Sequence, residues 1–518
     1  LKETTRRQSF LSTLAVMAGT LGSRILGFVR IALISMYFGA SGEADILNAV
    51  FNIPNNFRKL LAEGALSSAF IPELSRQIVS DPKGSQSRSL SRSILGLQLL
   101  ILLPMSLVCV FFPEIVLKLF IRFQEPWKLE MAIRLFRWIF HYIVLISVSA
   151  VIMAVLNSHN RFMVPAVSPL LFSISVIISI VIWHDTLGIF SMVVGVLGGG
   201  FAQIFWQYPF YKKIGYSLLP SFRFNDESFK RVMKQWVPVL VTSSIFTINQ
   251  QIAILLATGL EEGSTTALSN AIVFWQLPFG IFSASIATVL FPKMSRMAGE
   301  KNWDGLSSTL QEGIQMLAVL LIPSSILLML FGPELISIAL QRGEYKSEDT
   351  ILAARVLFAY SPGMVFVGSY NLFQRSFYSQ GNYSAPLKTA GAVVVSDIAL
   401  SLFFLHLGWG VISLAWANSI AFIGGSLLLF LGSIKENIHF NLKKLFSQIF
   451  RILVAQIPMA AAIFGMKRIL DISHFYNGSS WVNLGYLALE GILSLVILLS
   501  FYSLMKLDVM TILKRRGK

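Results

Sequence analysis

The residues that ask for a chemical explanation are the ionisable groups set inside long apolar runs. Arg24 lies fourteen residues into a run that begins near residue 10, roughly 20 Å along a helix that rises 1.5 Å per residue. Arg30 follows six residues later, about 120° further round the helix. Arg58 and Lys59 sit in the middle of the next run, in company with Asp45, Asn55 and Glu63. A charge at such depth costs about 2.5–3.5 kcal/mol on insertion scales, so several within one stretch require a reason. Guanidinium groups stay charged and grip phosphate oxygens in a bidentate fork. The chemistry they suggest is a hydrated cationic cavity between two lobes that binds an anion, a phosphate carried on a lipid. The bland alternatives are structural: snorkelling or an Asp45 pair for Arg30, and a Glu63 pair for Arg24 and Arg58. Asp397, deep in a later apolar run, reads equally as an ion-coupling carboxylate or a structural pair.

These side chains must be carried by membrane-spanning helices. Of 518 residues, 55% are hydrophobic and only 13% are charged, about half the charged share of a soluble domain. An ordinary soluble enzyme is excluded. The apolar blocks are long enough to cross a bilayer as helices of about 20 residues, and they lack the alternation of a membrane barrel. Candidate spans fall near 10–40, 44–79, 92–113, 131–157, 165–184, 188–210, 236–259, 264–292, 306–332, 349–379, 385–407, 410–433, 446–466 and 481–505. The second is unusual, since it contains Pro54, Arg58, Lys59, Glu63 and Pro72. Such a segment is tolerated at membrane depth where it faces protein or a water-filled cavity. No cleavable leader is expected, because the first run is too long.

Fourteen spans with both termini cytoplasmic put the basic clusters on one side. Arg76, Lys83, Arg88 and Arg92 then face inward with Lys212, Lys213, Arg223, Lys230, Arg231, Lys234 and the Lys506–Lys518 tail, while the outer connections 41–43, 185–187 and 260–263 carry no Lys or Arg. That asymmetry is the positive-inside pattern. The net charge of +16 is therefore assigned to topology and anionic-lipid contact, not to nucleic acid. An internal echo supports duplication: SSAFIPELSR at 67–76 resembles ATVLFPKMSR at 287–296, and Asn48-Ala49-Val50 resembles Asn270-Ala271-Ile272. Six helices separate equivalent points, as in parallel repeats about an axis along the membrane normal.

The expected fold is an all-α integral membrane protein. Its fourteen transmembrane helices form two six-helix lobes related by a pseudo-twofold, with two further helices at the C-terminus. The corresponding divisions are 1–220, 221–435 and 436–518, the last ending in a basic cytoplasmic tail. Cys109, alone in its type, is expected to be a small core residue. The six histidines include no i,i+4 pair, so no metal site is expected. No phosphate-binding loop, nucleophile elbow or zinc-protease motif occurs. Energy for transport must then come from a gradient, the membrane potential or a partner.

Several segments resemble the MurJ/MviN family of bacterial lipid II flippases, within the multidrug/oligosaccharidyl-lipid/polysaccharide exporter superfamily. They are SRILGFVRI (23–31), IPNNFRKLLAEGALSSAFIP (53–72), LNSHNRFMVPAVSP (156–169) and FYSQGNYSAPLK (377–388). The resemblance runs from about residue 10 to 430. It implies a carrier without a cofactor, driven by membrane potential, sodium or protons through alternating access. The implied substrate is undecaprenyl-diphosphate bearing the disaccharide-pentapeptide of peptidoglycan. By motif, substrate-binding cations fall on Arg24, Arg30 and Arg58, with Asn55 beside them and Asp45 and Glu63 as the signature acids. The lipid tail would lie along the C-terminal lobe and the last two helices. Location in the bacterial inner membrane, a monomeric state, and contact with membrane lipids and with cell-wall synthesis or division proteins are further implications. One departure stands out: where family members commonly carry an Asp-Arg pair in the eighth helix, this chain has Ile272 and Val273 ahead of Pro278.

Four rivals remain, the weakest of them a scaffold that recruits wall-synthesis enzymes and moves nothing. A multidrug/cation antiporter of the same superfamily would favour acidic and aromatic cavity residues. A flippase for another polyprenyl-linked glycan would share the cationic site. A polyprenyl-phosphate glycosyltransferase would need a cluster of catalytic acids at a membrane face, and none is evident.

Overall fold

The structure, a computed structural model, describes residues 2–61, 65–81, 83–436, 438–469, 480–505 and 507. Among the described residues the regular structure is entirely helical. In chain order the helices are α1 Lys2–Phe38, α2 Gly42–Leu61, α3 Ala65–Ser80, α4 Ser85–Phe111, α5 Pro113–Leu117, α6 Pro126–Ile139, α7 Tyr142–Ser158, α8 Met163–Leu187 and α9 Phe190–Lys213. They continue as α10 Glu227–Ala257, α11 Ser264–Gly299, α12 Trp303–Leu340, α13 Ser347–Tyr360, α14 Met364–Ser379, α15 Ser384–His406, α16 Ile412–Lys435, α17 Leu442–Ile469 and α18 Ser480–Leu504. In lipid each backbone N–H and C=O must be satisfied within its own segment, which is why apolar runs of this length become helices.

Among the described residues, twelve helical segments are long and apolar enough to cross a membrane, so the chain is a multi-pass membrane protein. Of the fourteen expected spans, 44–79 is built from α2 and α3 and is not among the twelve, while 236–259 falls within α10, whose described residues include the apolar stretch Thr247–Ala257. The physical reason at α2 is polarity, since that helix carries Asn48, Asn52, Asn55, Asn56, Arg58 and Lys59. Cys109 is buried, as a core residue should be.

The chain packs as two compact units, Leu1–Glu262 with Arg342–Glu344, and Gly263–Gln341 with Tyr345–Lys518. The α10 helix packs with the first unit. Its bonds to α2 and α3, described below, are the reason.

In the first unit a buried core of Phe70, Leu74, Leu90, Ile94, Val155 and Tyr211 joins α3, α4, α7 and α9. The α8 and α9 helices approach closely because glycines face α8: a Cβ on Gly199 would stand 2.8 Å from the Phe172 ring. Serine hydroxyls bridge the same pair, Ser179 donating to the Ser191 carbonyl at 2.6 Å and Ser175 to that of Gly195 at 2.9 Å. The basic connection after α9 docks on α4, where Arg92 Nε donates to the Leu219 carbonyl and Ser221 N to that of Arg92. At the end of α1 the segment Arg342–Glu344 closes on the chain, with Glu344 N donating to the Met36 carbonyl at 2.9 Å. Gly343 makes this approach possible: its φ is +59°, and a Cβ there would lie 2.2 Å from the Met36 oxygen.

In the second unit, α12, α17 and α18 share an apolar core of Phe331, Ile452, Met459, Ile463, Leu498 and Tyr502. Tyr502 Oη donates to the Val319 carbonyl and accepts from Gln456 Nε2.

Candidate functional site

The polar face of α2 is the richest site in the first unit. Helical spacing stacks Asn48, Asn52, Asn55, Asn56 and Lys59 at intervals of three and four, which puts them on adjoining faces. Asn48 and Asn52 turn inward on their own helix, donating to the carbonyls of Ala44 and Asn48 at 3.0 and 2.7 Å. Further along, Arg58 donates through both Nε and Nη2 to the Asn55 amide oxygen, at 3.1 and 3.0 Å. Lys59 Nζ donates to Asn56 Oδ1 and to Gln250 Oε1, each at 3.4 Å. Asn56 Nδ2 donates in turn to Gln251 Oε1 at 2.9 Å. The partners named here are all amides. Gln250 and Gln251 of α10 therefore act as bonds between helices.

Arg30 on α1 is half-buried, with its guanidinium carbon 5.3 Å from the centroid of the Phe172 ring. This cation–π contact suits an arginine held away from bulk water. Arg58 and Tyr142 lie within Coulombic range of it, so two of the three expected arginines are brought together. Arg24 is not joined to them: it is exposed on α1 and makes no hydrogen bond or ion pair among the described residues. Asp45 is buried near the start of α2. Glu63 lies outside the described residues.

Beside the amide cluster α2, α10 and residues 119–120 enclose a cavity of about 320 Å³. Ile53, Phe57, Leu60, Phe120, Ile248 and Leu255 give it apolar walls, and Asn56 and Gln251 supply its polar edge. At one end of α2, buried Lys128 pairs with Glu125 at 2.7 Å and Glu262 at 3.4 Å. That ammonium holds the Glu125 carboxyl below the usual carboxylate range.

Sequence reasoning missed the partner of buried Glu73 on α3. Its Oε1 accepts from Arg231 Nε and Nη2 at 3.1 and 2.8 Å and from Gln77 at 3.0 Å, while Oε2 accepts from Arg76. Glu73 and Arg231 are 158 positions apart, so no local signal pairs them.

In the second unit Asp397 is buried on α15, accepting from Asn418 Nδ2 of α16 at 2.8 Å and from Ser401 Oγ at 3.4 Å. Ile272 and Val273 are half-buried aliphatic residues of α11, so no cation stands at these two positions.

The architecture defines a class: a polytopic helical membrane protein with cations and amides gathered on α2 and α10. Residues 34–483 match the sequence model of the family described as lipid II flippase MurJ. The probable lipid II flippase MurJ of Borreliella burgdorferi is 34% identical over 498 residues, which is 96% of this chain and 97% of that one. The Vibrio cholerae counterpart is 27% identical and covers 95% of each chain. A solved structure titled "Lipid II flippase MurJ, inward closed conformation" covers 96% of this chain and 100% of its own, at TM-score 0.78 and 27% identity. An inward-facing multidrug MATE transporter shares the fold alone, at TM-score 0.61 and 14% identity over 80% of this chain and 94% of its own. The chain belongs to the MurJ family of lipid II flippases, whose members are transporters and not enzymes.

Proposed function

We propose that this chain moves lipid II, the undecaprenyl-diphosphate-linked muropeptide, from the cytoplasmic to the outer leaflet of the bacterial inner membrane. The observation that carries the reading is its likeness to lipid II flippases along nearly the whole of both chains. The first-unit cations supply matching chemistry. Arg30 and Arg58 would hold the diphosphate, with Asn55 fixing the Arg58 fork, and Arg24 would meet the anion from its exposed position on α1. Charge-assisted bonds to phosphate are short and strong, and they release the substrate when water returns.

The finer architecture belongs to the same proposal. It comprises fourteen helices, two six-helix lobes related by a pseudo-twofold, two added C-terminal helices, and both termini in the cytoplasm. The cycle is alternating access by a monomer. Membrane potential, sodium or protons would drive it, with Asp397 the candidate coupling residue of the second unit. Cell-wall synthesis or division proteins are the proposed partners. One observation favours a second reading, a flippase for another polyprenyl-linked glycan: the aliphatic pair Ile272 and Val273 removes a cation that the substrate headgroup would otherwise meet.

The test is replacement of the native flippase in a depletable bacterial strain, scoring externally accessible lipid II. Wild type should restore it, and Arg58→Ala, at equal membrane level, should not. Failure of well-expressed wild type refutes lipid II as substrate. Restoration by Arg58→Ala refutes the assigned role of Arg58.

A further inference from the structure

A second group of ionisable residues lies outside the site described above. Three helices of the second unit, α12, α17 and α18, bring Glu334, Lys467 and Glu490 together in an apolar setting. Glu490 is ten residues from Ser480 in a 25-residue helix, about 15 Å along it at 1.5 Å per residue. It is 1% exposed, and Glu334 is 3% exposed. Lys467 Nζ donates to Glu334 Oε1 and to the Leu330 carbonyl and lies 5.4 Å from the centroid of the Phe331 ring.

One ammonium thus lies within Coulombic range of two carboxylates and is hydrogen-bonded to one of them. Lys467 and Glu334 are the charged groups within Coulombic range of Glu490. The next basic residue on α17, Arg468, is exposed, and the other titratable residues of α18 are Tyr486 and Tyr502. Both carboxylate oxygens of Glu490 are buried and accept no hydrogen bond among the described residues. Ser494, one turn on, donates to the backbone carbonyl of Glu490 at 2.6 Å instead.

Fully ionised, the cluster would carry one uncompensated negative charge among apolar side chains. A buried carboxylate without donors is disfavoured, and two carboxylates in one site do not both ionise. Lys467 is already engaged with Glu334. The neutral arrangement is therefore an ion pair between those two and a protonated Glu490.

We propose that Glu334, Lys467 and Glu490 form a proton-binding site in which Glu490 holds the exchangeable proton. A proton from water adds to the Glu490 carboxylate and neutralises it. The proton leaves again to water when Glu490 gains a donor or the ammonium of Lys467. Packing of α18 against α12 and α17 then responds to pH. The site lies within the second unit and is independent of the transported substrate.

Infrared difference spectroscopy of the purified full-length protein in detergent tests it through the C=O stretch of a protonated carboxyl, assigned by its downshift in heavy water. Wild type should show one such band from this cluster, titrating between acid and alkaline pH. Glu490→Gln should abolish it. Glu334→Gln should abolish it too, because Lys467 then neutralises Glu490. Lys467→Met should double it, since two carboxyls then share no cation, and the two glutamine variants decide the matter if that one does not fold. A Glu490→Gln spectrum identical to wild type overturns the proposal, as does a band that never titrates. A band lost when sodium chloride replaces choline chloride overturns it as well, by making the ligand sodium.

Discussion

The attachment of α10 to the first unit can be tested through Arg231→Ala. Glu73 is 3% exposed, but the side chains of Arg231 and Arg76 are 41% and 58% exposed, so the pair is only half-desolvated. Truncating one partner of a fully buried pair costs about 3–5 kcal/mol, and a hydrogen bond to a charged group contributes about 1.5–3. Two facts lower the figure here. Water screens the guanidinium, and Arg76 and Gln77 still serve the carboxylate after Arg231 is gone. The expected loss, set by the buried Glu73 carboxylate that gives up one of its donors, is about 1–2 kcal/mol, roughly a 5- to 30-fold fall in the folded-to-unfolded ratio. The assay is a double-mutant cycle with Glu73→Gln, read by denaturant unfolding in detergent. The two changes should be strongly non-additive, with a coupling of about 1 kcal/mol or more. A coupling within about 0.3 kcal/mol, the scatter of independent sites, would refute the claim that this bond holds α10 to α3.

Three further outcomes follow from the same contacts. Gly343→Ala should lower stability by about 1–3 kcal/mol, because the residue is held at φ +59° with a Cβ position 2.2 Å from the Met36 oxygen; an unchanged thermal transition would refute the closure of this segment on α1. Gln251→Ala removes the acceptor of the buried Asn56 amide and should cost about 1–3 kcal/mol, whereas Gln250→Ala, whose contact with Lys59 is long at 3.4 Å, should cost less in the same unfolding assay. Glu125, whose carboxyl is held down by the hydrogen bond from Lys128, contributes stability that is fully present above its ordinary range and lost as pH falls through the depressed value. Glu125→Gln should accordingly flatten the acid limb of the stability curve, and an unaltered limb would remove this pair from acid sensitivity.

Much of the molecule is legible in the amino-acid chain. Helices had to form wherever an apolar run was long enough, since a backbone in lipid has no other partner than itself. That logic located the twelve apolar segments and the buried Cys109. The α2 cluster was legible too, because arginine, lysine and asparagine inside an apolar block are conspicuous by cost alone. Glu490 stood in the same position, an acid at the centre of an apolar run, and the same argument would have found it.

What the chain alone could not decide was pairing. Asn56 meets Gln251 across 195 positions and Glu73 meets Arg231 across 158, while Arg30 finds the Phe172 ring. Local periodicity says which face of a helix is polar and nothing about which distant helix covers it. The same gap explains α10. Its Gln250 and Gln251 bond to α2 and its Arg231 to α3, across distances in sequence that no local pattern signals. It likewise explains why Arg30 and Arg58 converge while Arg24 points elsewhere: residue type states the cost of a buried charge, and only the packing of neighbouring helices supplies the partner that meets it.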